Sequence, residues 1–390
     1  MTQIRQIRPQ EYLEAQNIMS LCFRYERTQT PVNDDGHRHE NIYGAFDESG
    51  KMTSCVVGNP FDAFYWGQAA GMCGVGGVCT LPEHRGNGSI RRLLHFTLEQ
   101  AYARGDLLSS LYPFSHPFYR RYGFETGAPA DIVTVRPEGL AAFADTGRVR
   151  QYVPGQDRSD IERIYERFAA GHNLACLRTK EMWDKRLERD PYLSHTYTYV
   201  WENDEGEAQG YATVLHEKLE QGKGFTVSDW AFTTPEALTG IFGFLKRLSP
   251  SGNRRLVMTL PGDVDPFQLF AEPYGISVTR QAQGMLRVVN VERCLQLYPW
   301  EEGTSFAVCV DDPVLSCNCG VFSVRRTGGE TQVRREQGKA DIRASIQALS
   351  LLLLGASDLP TALRCRTDIK AGGERLPEFR RRPIYLRELF

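Results

Sequence analysis

Strand-like and helix-like stretches alternate along the whole chain, which predicts a mixed α/β protein of the α+β kind built from several domains. Three observations carry this expectation. The first is length: 390 residues exceed what one hydrophobic core normally organises, so two or three domains are expected. The second is periodicity, since alternating or β-branched runs recur between stretches with apolar residues at helical spacing. The third is balance: 41% hydrophobic and 24% charged residues describe a globular chain and exclude wholesale disorder. The 46 Lys+Arg against 48 Asp+Glu also argue against a dedicated nucleic-acid binder, which carries a basic excess.

The first segment runs to about Arg150. Gln10 to Tyr25 places Tyr12, Ala15, Ile18, Met19 and Cys22 at helical spacing, before a polar stretch from Thr28 to Glu40. Asn41 to Phe46 and Met52 to Gly58 read as strands joined by the Asp47-Glu48-Ser49-Gly50 turn. Met72 to Leu81 is a small and β-branched run expected to be a central strand. Beyond it, Ile90 to Arg104 sets Ile90, Leu93, Leu94, Thr97, Leu98 and Ala101 on one helical face. Leu107 to Tyr112 reads as a strand and Phe118 to Tyr122 as a short helix closed by Gly123.

Tyr152-Val153-Pro154-Gly155 reads as a linker. The second segment repeats the same alternation, with a helix from Asp157 and strands near Tyr197–Trp201, Gln209–His216 and Phe225–Ala231. A helix from Pro235 to Leu248 follows, and no glycine loop opens it. The third starts near Val288 with strands to Val324 and a helix from Asp341 to Leu354. The expected division is 1–150, 151–287 and 288–390.

Compartment signals point one way. Met1 to Arg8 has no apolar core of a secretory signal, and no stretch approaches the roughly 20 apolar residues of a membrane span. The 10 Cys are scattered, which favours reduced thiols and a cytoplasmic chain. Cys317-Asn318-Cys319 is a close pair without a second pair at metal-ligand spacing, so no metal is expected.

Chemistry concentrates in Arg85-Gly86-Asn87-Gly88-Ser89-Ile90, between the central strand and the following helix. Backbone N–H groups at such a junction form an anion site, and glycines let the chain approach a pyrophosphate closely. The spacing is neither Gly-x-Gly-x-x-Gly nor the P-loop. Val78-Cys79-Thr80-Leu81-Pro82-Glu83-His84 followed by this loop resembles the strand-loop-helix acetyl-CoA motif of the GCN5-related N-acetyltransferases (GNAT). Downstream, Pro117-Phe118-Tyr119-Arg120-Arg121-Tyr122-Gly123-Phe124 resembles the late helix-turn motif of the same family. The whole-chain layout resembles the Eis (enhanced intracellular survival) branch. That implies tandem GNAT acyl-CoA N-acyltransferase folds followed by a small SCP2-like α+β domain, similar to sterol carrier proteins.

The resemblance implies acetyl transfer from acetyl-CoA (coenzyme A) to an amine acceptor such as an aminoglycoside, a polyamine or a lysine, by direct transfer in a ternary complex. The loop Arg85–Ser89, with Ile90 opening the helix, would hold the cofactor phosphates. Backbone groups of Val78, Cys79 and Thr80 would pair with the pantetheine arm, and Ser115 falls where the family has a serine near coenzyme A. Tyr119 matches the general acid that protonates the departing thiolate, whereas Tyr122 reads as structural. The C-terminal carboxylate, here on Phe390, would be the base. Related chains carry an acidic residue just before the last one; here that place is Leu389, with Glu388 one earlier. Related proteins assemble as hexamers, so a homo-oligomer is expected.

Other residues have plainer readings. His37 and His39 read as solvated loop histidines, and Glu26, Asp34 and Asp35 as loop charges that could favour an amine. Phe61, Phe64, Tyr65 and Trp66 form either a pocket wall or core. The alternative function is capture of a lipid or other apolar ligand by the C-terminal domain, with the GNAT units as scaffold.

Overall fold

Two arrays of six strands organise the chain in the computed structural model, which describes residues 3–26, 38–219, 222–248, 255–373 and 376–388. The chain divides into two units, one of Met1–Ala128, Gln283–Arg382 and Leu386–Phe390, the other of Pro129–Ala282 and Pro383–Tyr385.

The first unit opens with β1 (Gln3–Gln6), α1 (Tyr12–Phe23), β2 (Ile42–Phe46), β3 (Met52–Tyr65) and β4 (Gln68–Thr80). Then come α2 (Ser89–Arg104), β5 (Leu108–Leu111) and the short α3 (His116–Arg120). Helix α1 buries Tyr12, Ala15, Ile18 and Met19 and ends where Arg24 turns left-handed. In α2 the expected stripe of Leu93, Leu94, Thr97, Leu98 and Ala101 is buried, and Gly105 closes the helix at φ +92°.

The second unit continues with β6 (Glu125–Val135), β7 (Arg148–Tyr152), α4 (Ser159–Ala170), α5 (Lys180–Leu187) and α6 (Pro191–Ser194). It adds β8 (Thr196–Glu202), β9 (Ala208–Leu219), β10 (Gly222–Phe232), α7 (Pro235–Arg247), β11 (Arg255–Leu260), α8 (Pro266–Leu269) and the start of β12 (Ile276–Val288), whose residues from Gln283 belong to the first unit. Tyr152, read as the start of a linker, is the last residue of β7. The strand order is β1-β2-β3-β4-β5-β12 in the first unit and β7-β8-β9-β10-β11-β6 in the second. In both arrays the fourth and fifth strands run parallel and the remaining pairs antiparallel. Each array takes its sixth strand from outside its own run of five. Met285–Val288 of β12 pairs with β5, and Asp131–Val135 of β6 pairs with β11. Sequence patterning assigned neither partnership.

The chain then returns to the first unit with α9 (Val291–Leu297), β13 (Ser305–Asp311), β14 (Gly320–Thr327), β15 (Glu330–Glu336) and β16 (Ile342–Ser345). It ends with α10 (Ile346–Leu353), α11 (Leu359–Cys365) and β17 (Ile369–Ala371). The second sheet has the order β15-β14-β13-β16-β17. The helix expected from Asp341 begins only at Ile346. Ile342 and Ala344 alternate inward as a strand, and the Ser345 hydroxyl then accepts from the Ala348 N–H at 3.1 Å and starts the helix.

Within the first unit this last segment packs against the first. Tyr65 Oη donates to the Cys294 carbonyl at 3.0 Å, and Trp66 Nε1 donates to the Leu353 carbonyl at 2.8 Å. Ala63, Phe64 and Tyr65 are buried, so Phe64 and Tyr65 of the aromatic cluster are core. Helix α10 buries seven of its residues, Ile346, Ala348, Leu349, Ser350, Leu351, Leu352 and Leu353, and the Ser350 hydroxyl accepts from the Val288 N–H at 2.8 Å. A helix so nearly buried all round is a core element rather than a surface one. Among the described residues no helix is long and apolar enough to cross a membrane.

Candidate active site

The first site element is an interruption in β4. Pairing with β3 slips between Cys55/Cys79 and Val57/Gly76, which leaves one extra residue in β4. Gly77 takes it up at φ +55°, and a Cβ there would lie 2.5 Å from Val57 Cγ2, so only glycine fits. The other edge of β4 pairs in parallel with β5 only from Met72 to Val75. From Gly76 to Thr80 that edge has no partner strand among the described residues, which leaves backbone groups of Val78 and its neighbours open to an extended ligand arm.

Side chains at the end of β4 alternate between two cores. Val78 lies with Ile90, Leu93, Leu94, Leu111 and Tyr119 in one cluster, whereas Cys79 lies with Ile18, Met19 and Cys55 in another. The Cys79 thiol sits 3.2 Å from that of Cys55. This contact and burial hold it far above the ordinary thiol range, so Cys79 stays protonated and is no nucleophile.

The glycine loop follows. Arg85, Gly86, Asn87 and Gly88 are exposed, with Gly86 at φ +83° and Gly88 at φ +80°. Asn87 Oδ1 accepts from the Ser89 N–H at 2.9 Å and fixes the turn into α2. Gly88 is the N-cap and has no side chain to cap the helix, and the first turn holds no acidic residue. The N–H groups of that turn and the positive end of the helix dipole therefore face an open position. The Ser89 hydroxyl at the helix start and the Thr80 hydroxyl at the end of β4 are buried without a hydrogen-bond partner among the described residues. Buried hydroxyls of this kind fit a ligand that supplies acceptors or donors at this edge.

Tyr119 comes from α3, only five residues long and opened by Pro117. Its side chain is 3% exposed, among Phe114, Phe118 and Phe124 at ring separations of 5.1–6.3 Å. Burial pushes its phenol well above the usual value. Ser115 is the N-cap of α3, half-buried, and its hydroxyl makes no capping bond.

The segment after Tyr119 is gripped from the back. Gln347 Nε2 of α10 donates to the Arg120 carbonyl at 2.8 Å. Arg287 of β12, fully buried, donates to the Tyr122 carbonyl, to the Val288 carbonyl and to Asp312. Asp312 is itself completed by the N–H groups of Val314 and Leu315 and by Asn318 Nδ2. Gly123 turns beside this network at φ +81°, where a Cβ would lie 2.6 Å from Arg287 Nη1. Glu125 accepts from Arg120 and Arg366; burial alone would raise its carboxyl, but these bonds and the Thr126 N–H outweigh it and hold it low. Sequence reading missed Arg287, Gln347 and Arg366. One signal was present, a lone arginine inside the apolar run Met285-Leu286-Arg287-Val288-Val289.

Residues near the end of the chain also reach this unit. Tyr112 Oη, just past β5, donates to the Leu386 carbonyl at 3.1 Å, and Leu386 and Glu388 are buried. Phe390 lies outside the described residues, as do His37, Asp34 and Asp35. Among the described residues no group of three or more His, Cys, Asp or Glu side chains is placed to hold a metal.

The chain is similar to known proteins along most of its length. Residues 3–127 and 174–288 each match an acetyltransferase (GNAT) domain, and residues 291–372 match a sterol carrier protein domain. The N-acetyltransferase Eis of Mycobacterium tuberculosis is 25% identical over 317 residues, covering 75% of this chain and 74% of its own. The chain belongs to the Eis-like GCN5-related N-acetyltransferases. An uncharacterized N-acetyltransferase of Streptomyces avermitilis is 25% identical over 256 residues, 61% of this chain and 60% of that one. The fold matches Eis1 from Mycobacterium abscessus (TM-score 0.82, 19% identity, 100% of both chains). It also matches a GCN5-related N-acetyltransferase from Anabaena variabilis (TM-score 0.83, 20% identity, 95% of this chain and 94% of that chain).

As an Eis-like GNAT, the protein has tandem GNAT folds and a sterol-carrier-like domain. The interrupted β4, the loop at Gly86 and Gly88 and the helix of Tyr119 all lie in the first fold. Among the described residues a Cβ on Gly88 would meet no atom of another residue beyond its chain neighbours within 4 Å, so Gly88→Ala loses only the roughly 1–2 kcal/mol of an unfavourable left-handed residue. The added methyl stands where an anion would approach. We expect the KM for acetyl-CoA to rise about tenfold, the equivalent of one weakened charged hydrogen bond, with a small fall in Tm. A KM unchanged in steady-state assays would remove the loop from cofactor binding.

Proposed function

We propose that the protein transfers the acetyl group of acetyl-CoA to an amine acceptor by direct attack in a ternary complex. The acceptor class is a small-molecule amine such as an aminoglycoside or polyamine, or a lysine. The observation that carries this reading is the open edge of β4 running into an uncapped helix N-terminus, with Tyr119 in the same side-chain cluster as Val78 and Ile90.

The thioester supplies an activated acyl carbon; the chain supplies position and protons. Backbone N–H groups of Gly86 to Ile90 other than that of Ser89, and the Arg85 guanidinium, hold the phosphates, and Val78 to Thr80 align the pantetheine arm. Such positioning is worth about 7–11 kcal/mol when the reacting atoms are held in line. As the amine nitrogen bonds to the acyl carbon and the carbon–sulfur bond breaks, the amine proton passes to the Phe390 carboxylate. Tyr119 Oη gives its proton to the sulfur. An α-carboxylate titrates near 3.5 in water and is a weak base there, so this role requires a desolvated terminus. The buried Leu386 and Glu388 support a docked tail. Ser115, with an uncommitted hydroxyl at the start of α3, would contact coenzyme A.

In this reading the chain is cytoplasmic and divides functionally at 1–150, 151–287 and 288–390. It also assembles as a homo-oligomer, a hexamer as in related proteins; a single-chain mass by light scattering would refute that part. The deciding experiment appends a few residues after Phe390 and assays an aminoglycoside and polyamine panel. We expect turnover to fall by about 10²-fold or more, the usual worth of a positioned base, while acetyl-CoA still raises Tm as in the parent. An extended chain as active as the parent would exclude the terminal carboxylate.

A further inference from the structure

The two strand arrays correspond strand for strand, so the second unit has a counterpart of the cofactor groove. In each, a helix connects the fourth strand to a parallel fifth: α2 between β4 and β5, α7 between β10 and β11. The last parallel pair is Val75 with Leu111 in the first and Val227 with Met258 in the second. Beyond it each fourth strand carries one extra residue against the third strand, after Gly76 in β4 and after Val227 in β10, and the strands end at Thr80 and Phe232. Counted from the last parallel pair, Trp230 of β10 is the counterpart of Val78.

At the phosphate end of that second groove the helix N-terminus is capped by protein. Thr233 and Thr234 replace the glycine loop, Thr234 Oγ1 accepts from the Ala237 N–H at 3.1 Å, and Pro235 removes another donor. The arm end is filled by protein. The N–H of Asn173 donates to the Pro383 carbonyl at 2.9 Å and the N–H of Tyr385 to the Asn173 carbonyl at 3.0 Å, which pairs the tail with residue 173 in parallel. The Tyr385 ring packs on Phe168 and His172 of the second unit, and its hydroxyl points to the Trp230 carbonyl at 3.4 Å. Leu174, next to Asn173, is fully buried at φ +63°, a strained conformation for a leucine that presents the Asn173 backbone to the tail.

We infer that the second GNAT unit has converted its cofactor groove into a socket for an extended peptide, the chain's own Pro383–Tyr385. The carbonyl that would face a pantetheine arm faces Tyr385 instead. The socket fixes the tail immediately ahead of Leu386–Phe390, so Tyr385 is a positioning residue for whatever the terminus does. Only the kinetic arm of the test rests on the terminal carboxylate as base.

The test uses the full chain. By hydrogen exchange on the unmodified protein, the Tyr385 amide should be protected at least about 100-fold relative to an unstructured amide. Carboxypeptidase digestion followed by intact mass should stall before Tyr385 in the parent. In Tyr385→Ala, loss of residues 385–390 should speed up about tenfold or more; in Tyr385→Phe, which keeps the ring contacts, only about threefold. An unprotected Tyr385 amide, or digestion of Tyr385→Ala at the parent rate, overturns the socket. If digestion accelerates and kcat falls with the KM for acetyl-CoA unchanged, socket and terminal base both stand. If digestion accelerates while kcat holds, the socket stands and the terminal base falls.

Discussion

Tyr119→Phe should lower kcat by about 10²–10⁴-fold and leave the KM for acetyl-CoA within about twofold, the pattern of a lost general acid rather than a lost binding contact. The ring stays, so the packing against Phe114, Phe118 and Phe124 stays with it. On the proposed mechanism only the proton for the departing sulfur is removed. Burial raises the Tyr119 phenol, which sets the sign of a pH test. A tyrosine acid works while protonated, and its folded value lies well above the ordinary value near 10. Activity should therefore show no descending limb from this group between about pH 7 and 10. Steady-state kinetics of the parent and the variant across that range decide the matter. A variant with parent turnover would make Tyr119 a packing residue.

The second large effect is on stability. Asp312→Ala should cost about 3–5 kcal/mol, because it leaves the fully buried Arg287 guanidinium without its partner carboxylate. Denaturant unfolding would read this as a lower midpoint at unchanged slope. Arg287 also donates to the Tyr122 carbonyl, so the loss should loosen the turn after α3. Residual folded enzyme should show a lower kcat before any change in the KM for acetyl-CoA. An Arg287→Met, Asp312→Leu double variant removes both charges and should recover much of the stability. It should not recover kcat, since no donor then holds Tyr122. Recovery of both would mean the pair only fills space.

Features written within a few neighbouring residues are legible in the sequence. The stripe of α2 follows from helical spacing, and the glycine loop and the Tyr119 segment are contiguous motifs. Contributions from distant chain were not. The Ile342–Ser345 strand was hidden because it runs straight into α10 with no turn residue between them, and the Ser345 cap that separates them is a single hydroxyl. The grip of Gln347 and Arg287 on the segment after Tyr119 links residues over a hundred and fifty positions apart, where periodicity carries no information. The choice between wall and core for Tyr65 needed its partner at Cys294. Tail docking at Asn173 likewise depends on backbone groups, which no side-chain pattern announces.

The borrowed sixth strands have a consequence for biosynthesis. When the ribosome has made β5, its outer edge still lacks Met285–Val288. At about 5–20 residues per second that edge stays bare for on the order of ten seconds. A bare edge invites pairing with other nascent chains, so expression yield should depend on elongation speed and chaperone supply. A chain terminated before residue 285 would carry the loop and Tyr119 yet leave β5 without its neighbour. The acetyltransferase unit is thus finished late in translation, although its motifs are read early.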